Sequence, residues 1–150
     1  MTTIKVGDKA PNFKAKDQEG TIRQLSDYSG RKLVLFFYPK ASTPGCTAEA
    51  CDLRDHYHIF LSKGYEILGV SADNAKRQQN FRSKYDLPFP LLADEDKNVI
   101  EAFEVWGPKK FMGKEYDGIH RTTFVIDEKG IIEEVISKVK TKAHSSQLLK

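Results

Sequence analysis

The segment that most restricts the fold is 32–38, in which six consecutive apolar residues follow a lysine. An apolar run without polar alternation is typical of a central strand that is covered on both faces. The chain then passes Pro39 and Pro44 and reaches Cys46. Because open α/β sheets place their sites beyond the carboxyl ends of central strands, this segment predicts both a layered α/β structure and the location of its chemistry.

Strand and helix patterns alternate along the rest of the chain. Two hairpins are predicted, over 13–25 and 122–137, and a second buried strand over 65–71. Helices are predicted over 44–63 and 75–85, with a short helix or strand over 97–103 and a last helical turn over 145–150. The order predicts an α/β sandwich with a mixed sheet, whose strand–helix–strand units are parallel crossovers.

The composition is that of an ordinary globular domain. The 150 residues carry a net charge of +3, with acidic and basic residues interspersed. No apolar stretch approaches the roughly 20 residues that span a bilayer, and the N-terminal residues lack the apolar core of a signal peptide. The lysines of the C-terminal segment, Lys138, Lys140 and Lys142, are too sparse for a nucleic-acid surface. We therefore expect a cytoplasmic protein with no membrane and no nucleic-acid partner.

Cys46 is predicted to lie in the first turn of a helix. Thr43 is a favourable N-cap because its hydroxyl can accept a hydrogen bond from a backbone N–H group of that turn, and Pro44 suits the first helical position. Gly45 lets another group approach the backbone closely. Free N–H groups and the positive end of the helix dipole stabilise a thiolate here. The pattern favours a reactive cysteine over one that only packs at a helix end.

Cys51, the other of the two cysteines, follows five residues later. In a regular helix this spacing separates the Cα atoms by about 8–9 Å, whereas a disulfide needs them within about 7 Å. The two sulfur atoms can therefore bond only if the helix unwinds locally. A buried, inert Cys51 is the alternative, and a dithiol of the thioredoxin type also stays open, although its motif has a shorter spacing.

Zinc is a further alternative, since Cys46, Cys51, His56 and His58 are potential ligands. On one helix these residues spread around the axis and along more than ~15 Å, so they cannot converge on a single tetrahedral ion. We therefore expect no metal, and we expect both histidines at the surface.

The residues around Cys46 resemble a known family. Pro39-x-x-x-Thr43-x-x-Cys46 is similar to the active-site signature of the peroxiredoxins, and the longer string 37–51 resembles the bacterioferritin comigratory protein (PrxQ) subfamily. Similar segments occur at 6–13, 69–73, 106–107 and 118–127, so the resemblance covers nearly the whole chain.

The resemblance implies a single thioredoxin-like domain over 1–150, with a mixed central sheet flanked by helices and an N-terminal β-hairpin extension. It also implies an atypical 2-Cys thiol peroxidase that reduces hydrogen peroxide and organic hydroperoxides. Such an enzyme needs no cofactor. Its expected partners are the hydroperoxide and a thioredoxin-like dithiol as electron donor, and its expected state is a monomer.

Site roles follow from the same resemblance. Cys46 is expected to attack the peroxide and become a sulfenic acid, which Cys51 resolves as an intramolecular disulfide. Arg121 is expected to face the thiolate. A guanidinium group can stabilise both the thiolate and the departing oxygen, since it keeps its proton. A structural ion pair is the alternative for this arginine.

Four further residues are expected at the site by the same resemblance. Thr43 supplies a hydroxyl to the peroxide oxygens and Pro39 shields the pocket. Gly45 and Glu49 lie at the substrate site, with Glu49 close to the arginine.

Several residues keep open interpretations. Trp106, Phe111 and Met112 are expected in a loop rich in Gly, Pro and Lys, where they line the peroxide pocket or pack at its rim. His120 precedes Arg121 and is expected at the surface, with contact to the pocket as the alternative.

Two other classes of function remain as alternatives. One is a thiol–disulfide oxidoreductase without peroxidase activity, against which Thr43 and Arg121 argue, because disulfide exchange needs no donors aimed at a peroxide. The other is a redox sensor or binding module, for which the sequence shows no large apolar patch.

Overall fold

The computed structural model describes residues 2–150. Its strands are β1 (Lys14–Lys16), β2 (Ile22–Gln24), β3 (Lys32–Phe37), β4 (Tyr65–Ser71), β5 (Leu91–Ala93), β6 (Trp106–Phe111), β7 (Lys114–Ile119), β8 (Thr122–Ile126) and β9 (Ile132–Ile136). Its helices are α1 (Pro44–Asp55), α2 (Tyr57–Ser62), α3 (Ala75–Lys84), α4 (Asn98–Ala102) and α5 (His144–Leu148), with one 3-10 turn at Leu25–Tyr28.

A five-stranded mixed sheet has the order β5-β4-β3-β8-β9. Strands β3, β4 and β5 run parallel; β8 pairs antiparallel with β3, and β9 pairs antiparallel with β8. Two separate hairpins, β1–β2 and β6–β7, complete the architecture. The predicted α/β class with a mixed sheet and an N-terminal hairpin is confirmed.

The central strand β3 is buried on both faces, as its apolar run predicts. Leu33, Leu35 and Phe37 belong to one apolar core, together with residues of α4 and the first hairpin region. Val34 and Phe36 belong to the core on the opposite face, which α1, α2 and α3 cover. Cys46 is part of this second core, so the predicted reactive thiol lies beneath a helix layer and not on an open surface.

Gly69 of β4 shows how closely the second core is packed. A Cβ atom at this position would lie 2.7 Å from Leu91 Cδ2 and 2.9 Å from Phe36 Cζ. Any side chain here would displace two buried groups in a close-packed interior. The glycine therefore permits neighbouring large residues to meet across β4.

The predicted helix over 44–63 is wrong in one respect, because it is divided at His56 into α1 and α2. The carbonyl oxygen of Asp52 accepts hydrogen bonds from His56 Nδ1 (2.8 Å) and Ser145 Oγ (3.1 Å). These side chains replace the backbone N–H group that a continuing helix would supply. The break therefore depends on a contact with the distant C-terminal segment.

Other differences concern short elements. The expected loop around Trp106 is wrong: the hairpin β6–β7 occupies this region. Strand β5 was not predicted, and the ambiguous segment 97–103 contains the helix α4. The second buried strand, the helix over 75–85, the hairpin over 122–137 and the terminal helical turn are confirmed within one or two residues. Within residues 2–150, no helix has the length and apolarity needed to cross a membrane.

Candidate thiol site

Cys46 lies in the first turn of α1, as predicted, and only 1% of its surface is exposed. The first backbone hydrogen bond of the helix runs from Thr47 N to Thr43 O at 2.8 Å. The N–H groups of Gly45 and Cys46 come before that bond and point out of the helix start, where partial positive charge accumulates. The helix end therefore supplies donors beside the sulfur atom.

Thr43 occupies the N-cap position, but the predicted capping bond is wrong. Its side chain accepts no hydrogen bond from the helix; instead its Oγ1 donates to Lys40 O at 2.7 Å. Because the hydroxyl proton is taken, the oxygen presents its lone pairs as an acceptor. The bond also closes the turn between β3 and α1.

Arg121 joins two elements that are far apart in sequence. It directly precedes β8, and its Nη2 donates to Cys46 Sγ at 3.3 Å while its Nη1 donates to Glu49 Oε1 at 2.6 Å. Burial lowers the pKa of Arg121, but Cys46 and Glu49 outweigh that effect, so the pKa is raised overall. The guanidinium group therefore keeps its charge and faces the thiol in a fixed orientation.

Glu49 lies one turn after Cys46 on the same face of α1, and its side chain is fully buried. Burial raises the pKa of Glu49 to about 7, although Arg121 acts in the opposite direction. Its Oε1 accepts from Arg121, whereas its Oε2 has no hydrogen-bond partner among residues 2–150. The position near the arginine is thus as predicted, and the free oxygen of the carboxyl group requires an explanation.

Lys109 is a second cation of the site that the sequence did not reveal. Its Nζ donates to Ile119 O at 2.8 Å, across the base of the β6–β7 hairpin. Burial lowers the pKa of Lys109, Arg121 lowers it further, and Cys46 raises it. Lys109 also lines the same cavity as Arg121, which places its charge near the arginine.

The loop before α1 is held by a residue that the sequence left without a role. Asp73 Oδ2 accepts from the backbone N–H of Ala41 at 2.7 Å and from Ser71 Oγ at 2.7 Å. Pro39 is half-buried, and it borders an open cavity together with Asp73. Ser42 adopts a left-handed φ of 65°. The carboxylate after β4 therefore fixes the turn that leads to Cys46.

Cys51 lies in the continuous helix α1, is partly buried, and is a free thiol, as is Cys46. Burial raises the pKa of the Cys51 thiol, and Arg54 opposes that effect. Burial therefore works against ionisation of Cys51, and its spacing from Cys46 remains that of a folded helix.

The remaining predicted residues have other contacts. His120 Nε2 donates to Pro108 O at 3.0 Å, which joins the residue before Arg121 to the hairpin, and His120 lines the same cavity as Arg121. Trp106 packs against the first core, with Lys97 Nζ 4.6 Å from its ring centroid. Phe111 and Met112 are exposed at the hairpin tip. His58 is exposed and His56 half-exposed, and within residues 2–150 no group of three His, Cys, Asp or Glu side chains is placed to hold a metal ion.

Replacing Gly45 with alanine is expected to raise stability and lower reactivity. Alanine is favoured over glycine within a helix by about 1 kcal/mol, but its Cβ would lie 3.2 Å from Arg121 Nη2. The guanidinium group must move by a few tenths of an ångström, which we expect to slow oxidation of the Cys46 thiol by up to about tenfold. Urea unfolding and stopped-flow oxidation should show these opposite signs. An unchanged oxidation rate would contradict the tight contact.

The chain shows clear similarity to known proteins. The AhpC/TSA family matches residues 6–135. Peroxiredoxin Bcp of Escherichia coli K12 is 47% identical over 149 residues, which covers 99% of this chain and 96% of the relative. Peroxiredoxin Bcp of Bacillus subtilis is 47% identical over 147 residues, with 98% and 94% covered.

Solved structures give the same result. A PrxQ variant from Xylella fastidiosa superimposes with a TM-score of 0.92 at 32% identity, covering 99% of this chain and 95% of that one. The Xanthomonas campestris bacterioferritin comigratory protein, studied for its alkyl peroxide reduction activity, has a TM-score of 0.87 at 34% identity, with 99% and 95% covered.

A thiol at a helix start beneath an arginine, on a mixed sheet of this topology, is the arrangement of a thioredoxin-fold peroxiredoxin. With these similarities, the chain belongs to the AhpC/TSA family, in its Bcp (PrxQ) branch.

Proposed function

We propose that this protein is a thiol peroxidase that reduces hydrogen peroxide and organic hydroperoxides through Cys46. The observation that carries the proposal is the 3.3 Å contact between Arg121 Nη2 and Cys46 Sγ at the start of α1. A positive, proton-retaining donor at this distance stabilises a thiolate and can stabilise the oxygen that leaves during peroxide cleavage. Family membership and the alkyl peroxide reduction of the Xanthomonas campestris relative support the same chemistry.

The first step breaks the O–O bond. The Cys46 thiolate attacks one peroxide oxygen, and the electron pair of the O–O bond leaves with the other oxygen, which takes a proton and departs as water or an alcohol. Cys46 is oxidised to a sulfenic acid. We assign Arg121 and the N–H groups at the helix start as donors to the peroxide oxygens. Thr43 Oγ1, whose proton is bonded to Lys40 O, acts as an acceptor for the hydroperoxide O–H.

The other residues of the site act around this step. Glu49 orients Arg121 through its 2.6 Å contact. Gly45 leaves room for the guanidinium group, and Pro39 shields the loop side of the pocket.

The second step forms a disulfide. The Cys51 thiol attacks the sulfenic sulfur of Cys46 and water departs, which leaves an S–S bond. Both cysteines lie within α1, so the helix must unwind locally before their Cα atoms come within about 7 Å. A thioredoxin-like dithiol then reduces the disulfide by exchange and is itself oxidised.

The setting follows from this cycle. Since both cysteines lie on one chain, the reaction needs no second subunit, and we propose a monomer. The disulfide must be reduced again in every turnover, which fits the reducing cytoplasm. The site combines α1, Arg121 and the C-terminal segment, which supports one domain over 1–150. Light scattering of the purified protein tests the monomer directly.

A coupled assay tests the activity. Purified protein is mixed with hydrogen peroxide or an alkyl hydroperoxide, thioredoxin, thioredoxin reductase and NADPH, and NADPH oxidation is followed. Rapid, protein-dependent consumption is expected with both classes of peroxide. Reduction of insulin disulfides without peroxide consumption would instead indicate the thiol–disulfide oxidoreductase.

Replacing Cys51 with serine is expected to separate the two steps. The variant should reduce about one equivalent of peroxide at the wild-type rate. With thioredoxin as the only reductant the reaction should then stop, because no disulfide can form for exchange. Mass spectrometry should find one added oxygen on Cys46 in the variant, and a Cys46–Cys51 disulfide in the oxidised wild type. Sustained thioredoxin-dependent turnover by the variant would show that Cys51 is not the resolving cysteine.

A further inference from the structure

A buried histidine lies on the far side of Glu49 from Arg121. His144, the first residue of α5, is fully buried, and its Nε2 lies 3.5 Å from Glu49 Oε2. This carboxyl oxygen is the one with no hydrogen-bond partner among residues 2–150. The C-terminal segment is fastened here by Ser145, whose N–H donates to Asp52 Oδ2 at 2.6 Å. Helix α1 and the chain end thus bring the two titratable groups together.

The hydrogen bonds of Gln147 determine which ring nitrogen of His144 carries hydrogen. Gln147 Nε2 donates to Lys138 O (3.0 Å), and its Oε1 accepts from the backbone N–H of Lys140 (2.9 Å). Both backbone groups have only one possible role, so the orientation of the amide is fixed. His144 Nδ1 lies 2.8 Å from the same Oε1, an acceptor. Nδ1 therefore carries a hydrogen, and Nε2 is the position that titrates.

Nε2 of the neutral ring is an acceptor, as is Oε2 of an ionised Glu49. The hydroxyl of Thr123 lies 2.8 Å from Nε2, and it donates to the neutral ring or accepts from the protonated one. Without a further proton, two buried acceptors would face each other, and Glu49 Oε2 would remain unsatisfied, which is costly in an interior. One proton removes this conflict: on Glu49 it neutralises the carboxyl group, and on Nε2 it faces the carboxylate oxygen 3.5 Å away.

We propose that His144 is a positioning residue of the thiol site, which shares one proton with Glu49 and thereby holds the carboxyl group that orients Arg121 against Cys46. The role rests on the proposed peroxidase function. The shared proton cancels the charge of the pair, so that the positive charge of Arg121 remains directed at the sulfur atom and the peroxide. Loss of the proton leaves a negative charge on the other side of the guanidinium group.

The charged groups around the pair support this assignment. Burial raises the pKa of Glu49 to about 7, with Arg121 opposing and Asp52 reinforcing. Burial lowers the pKa of His144, as does Arg121, while Gln147, Asp52 and Glu134 raise it. Burial thus opposes the charged form of each group. Between pH 4.5 and 6.5 the folded pair keeps one proton, and the unfolded chain also holds one proton in this range, on the histidine.

The pH dependence of stability tests the shared proton through variants of opposite sign. In His144→Gln, Glu49 has a raised pKa and no histidine partner. Its contribution to the free energy of unfolding is therefore complete below pH 4.5 and is lost as pH rises through about 7. In Glu49→Gln, His144 stands alone with a lowered pKa, so stability is lost as pH falls below 6.5. Relative to wild type, the unfolding constants should change by up to tenfold per pH unit, in opposite directions.

Urea unfolding between pH 5 and 7.5 supplies the measurement. The double variant Glu49→Gln with His144→Gln should return to the wild-type slope, and His58→Gln, an exposed histidine of α2, should match wild type throughout. Parallel profiles for wild type and His144→Gln would overturn the shared proton. This test needs no activity, so it stands even if the peroxidase assay fails.

Two further readouts complete the test. Stopped-flow oxidation of Cys46 should be about tenfold slower in His144→Gln and unchanged in His58→Gln; an unchanged rate in both would overturn the positioning role.

If His144→Gln does not fold, nitrogen NMR of the wild-type histidine rings replaces the measurements on that variant. A hydrogen on Nδ1 at pH 6, with an Nε2 signal that shifts in Glu49→Gln, is expected. An Nδ1 atom without a hydrogen would overturn the proposal.

Discussion

Replacing Cys46 with serine is expected to abolish peroxide reduction. A serine hydroxyl in the same helical turn is a far weaker nucleophile than a thiolate, and loss of the nucleophile removes the whole covalent route. We expect a fall of at least about 1,000-fold in the rate. The coupled assay with thioredoxin measures it, and the rate of peroxide loss without thioredoxin shows whether any direct reaction remains.

Cys51→Ser is the matched control, since it removes the other cysteine of the same helix. Its first turnover should survive, whereas Cys46→Ser should have none. Serine is nearly isosteric with cysteine, so near-identical circular dichroism spectra are expected for the three proteins. Retention of wild-type turnover by Cys46→Ser would contradict the proposed chemistry.

Replacing Arg121 with methionine should cause the second largest loss. The variant lacks the donor at 3.3 Å from Cys46 Sγ, and removal of one donor to a developing negative charge costs about 10²–10³ in rate. Arg121→Lys should fall between, because an ammonium group restores the charge but cannot bridge Cys46 and Glu49 as the guanidinium fork does. Stopped-flow oxidation of Cys46 gives the rate constants.

Arg31→Met serves as the control for this series. Arg31 lies just before β3, at the end of that strand away from the thiol, and it pairs with Glu66. Its replacement should leave the oxidation rate unchanged within twofold. Equal rates for Arg121→Met and wild type would show that Arg121 only forms a structural ion pair with Glu49.

The features read correctly from the sequence are those that depend on local patterns. The apolar run of β3 requires burial on both faces in any fold, and Pro44 beside Cys46 favours a helix start whatever surrounds it. The proximity of Arg121 to Cys46 and Glu49 came from the family resemblance, because no local pattern relates residues that are 75 and 72 positions apart.

The missed features depend on distant partners. The division of the helix at His56 requires Ser145 as well as Asp52, and no proline or glycine marks it. Strand β5 has only three residues, too few for a periodic pattern. The hairpin at Trp106 contains Pro108 and several charged residues, which favour a loop by propensity. His144 carries no signal of its own, since its role depends on the oxygen of Glu49 that it meets.

The attachment of Ser145 to Asp52 makes α5 a support of the thiol site. A protease that removed only α5 would leave the sheet, both thiols and the arginine in place. It would nevertheless expose the buried carboxyl group of Glu49, because His144 and Ser145 would be lost. Damage of this kind would pass a test for intact cysteines and still yield a poor catalyst.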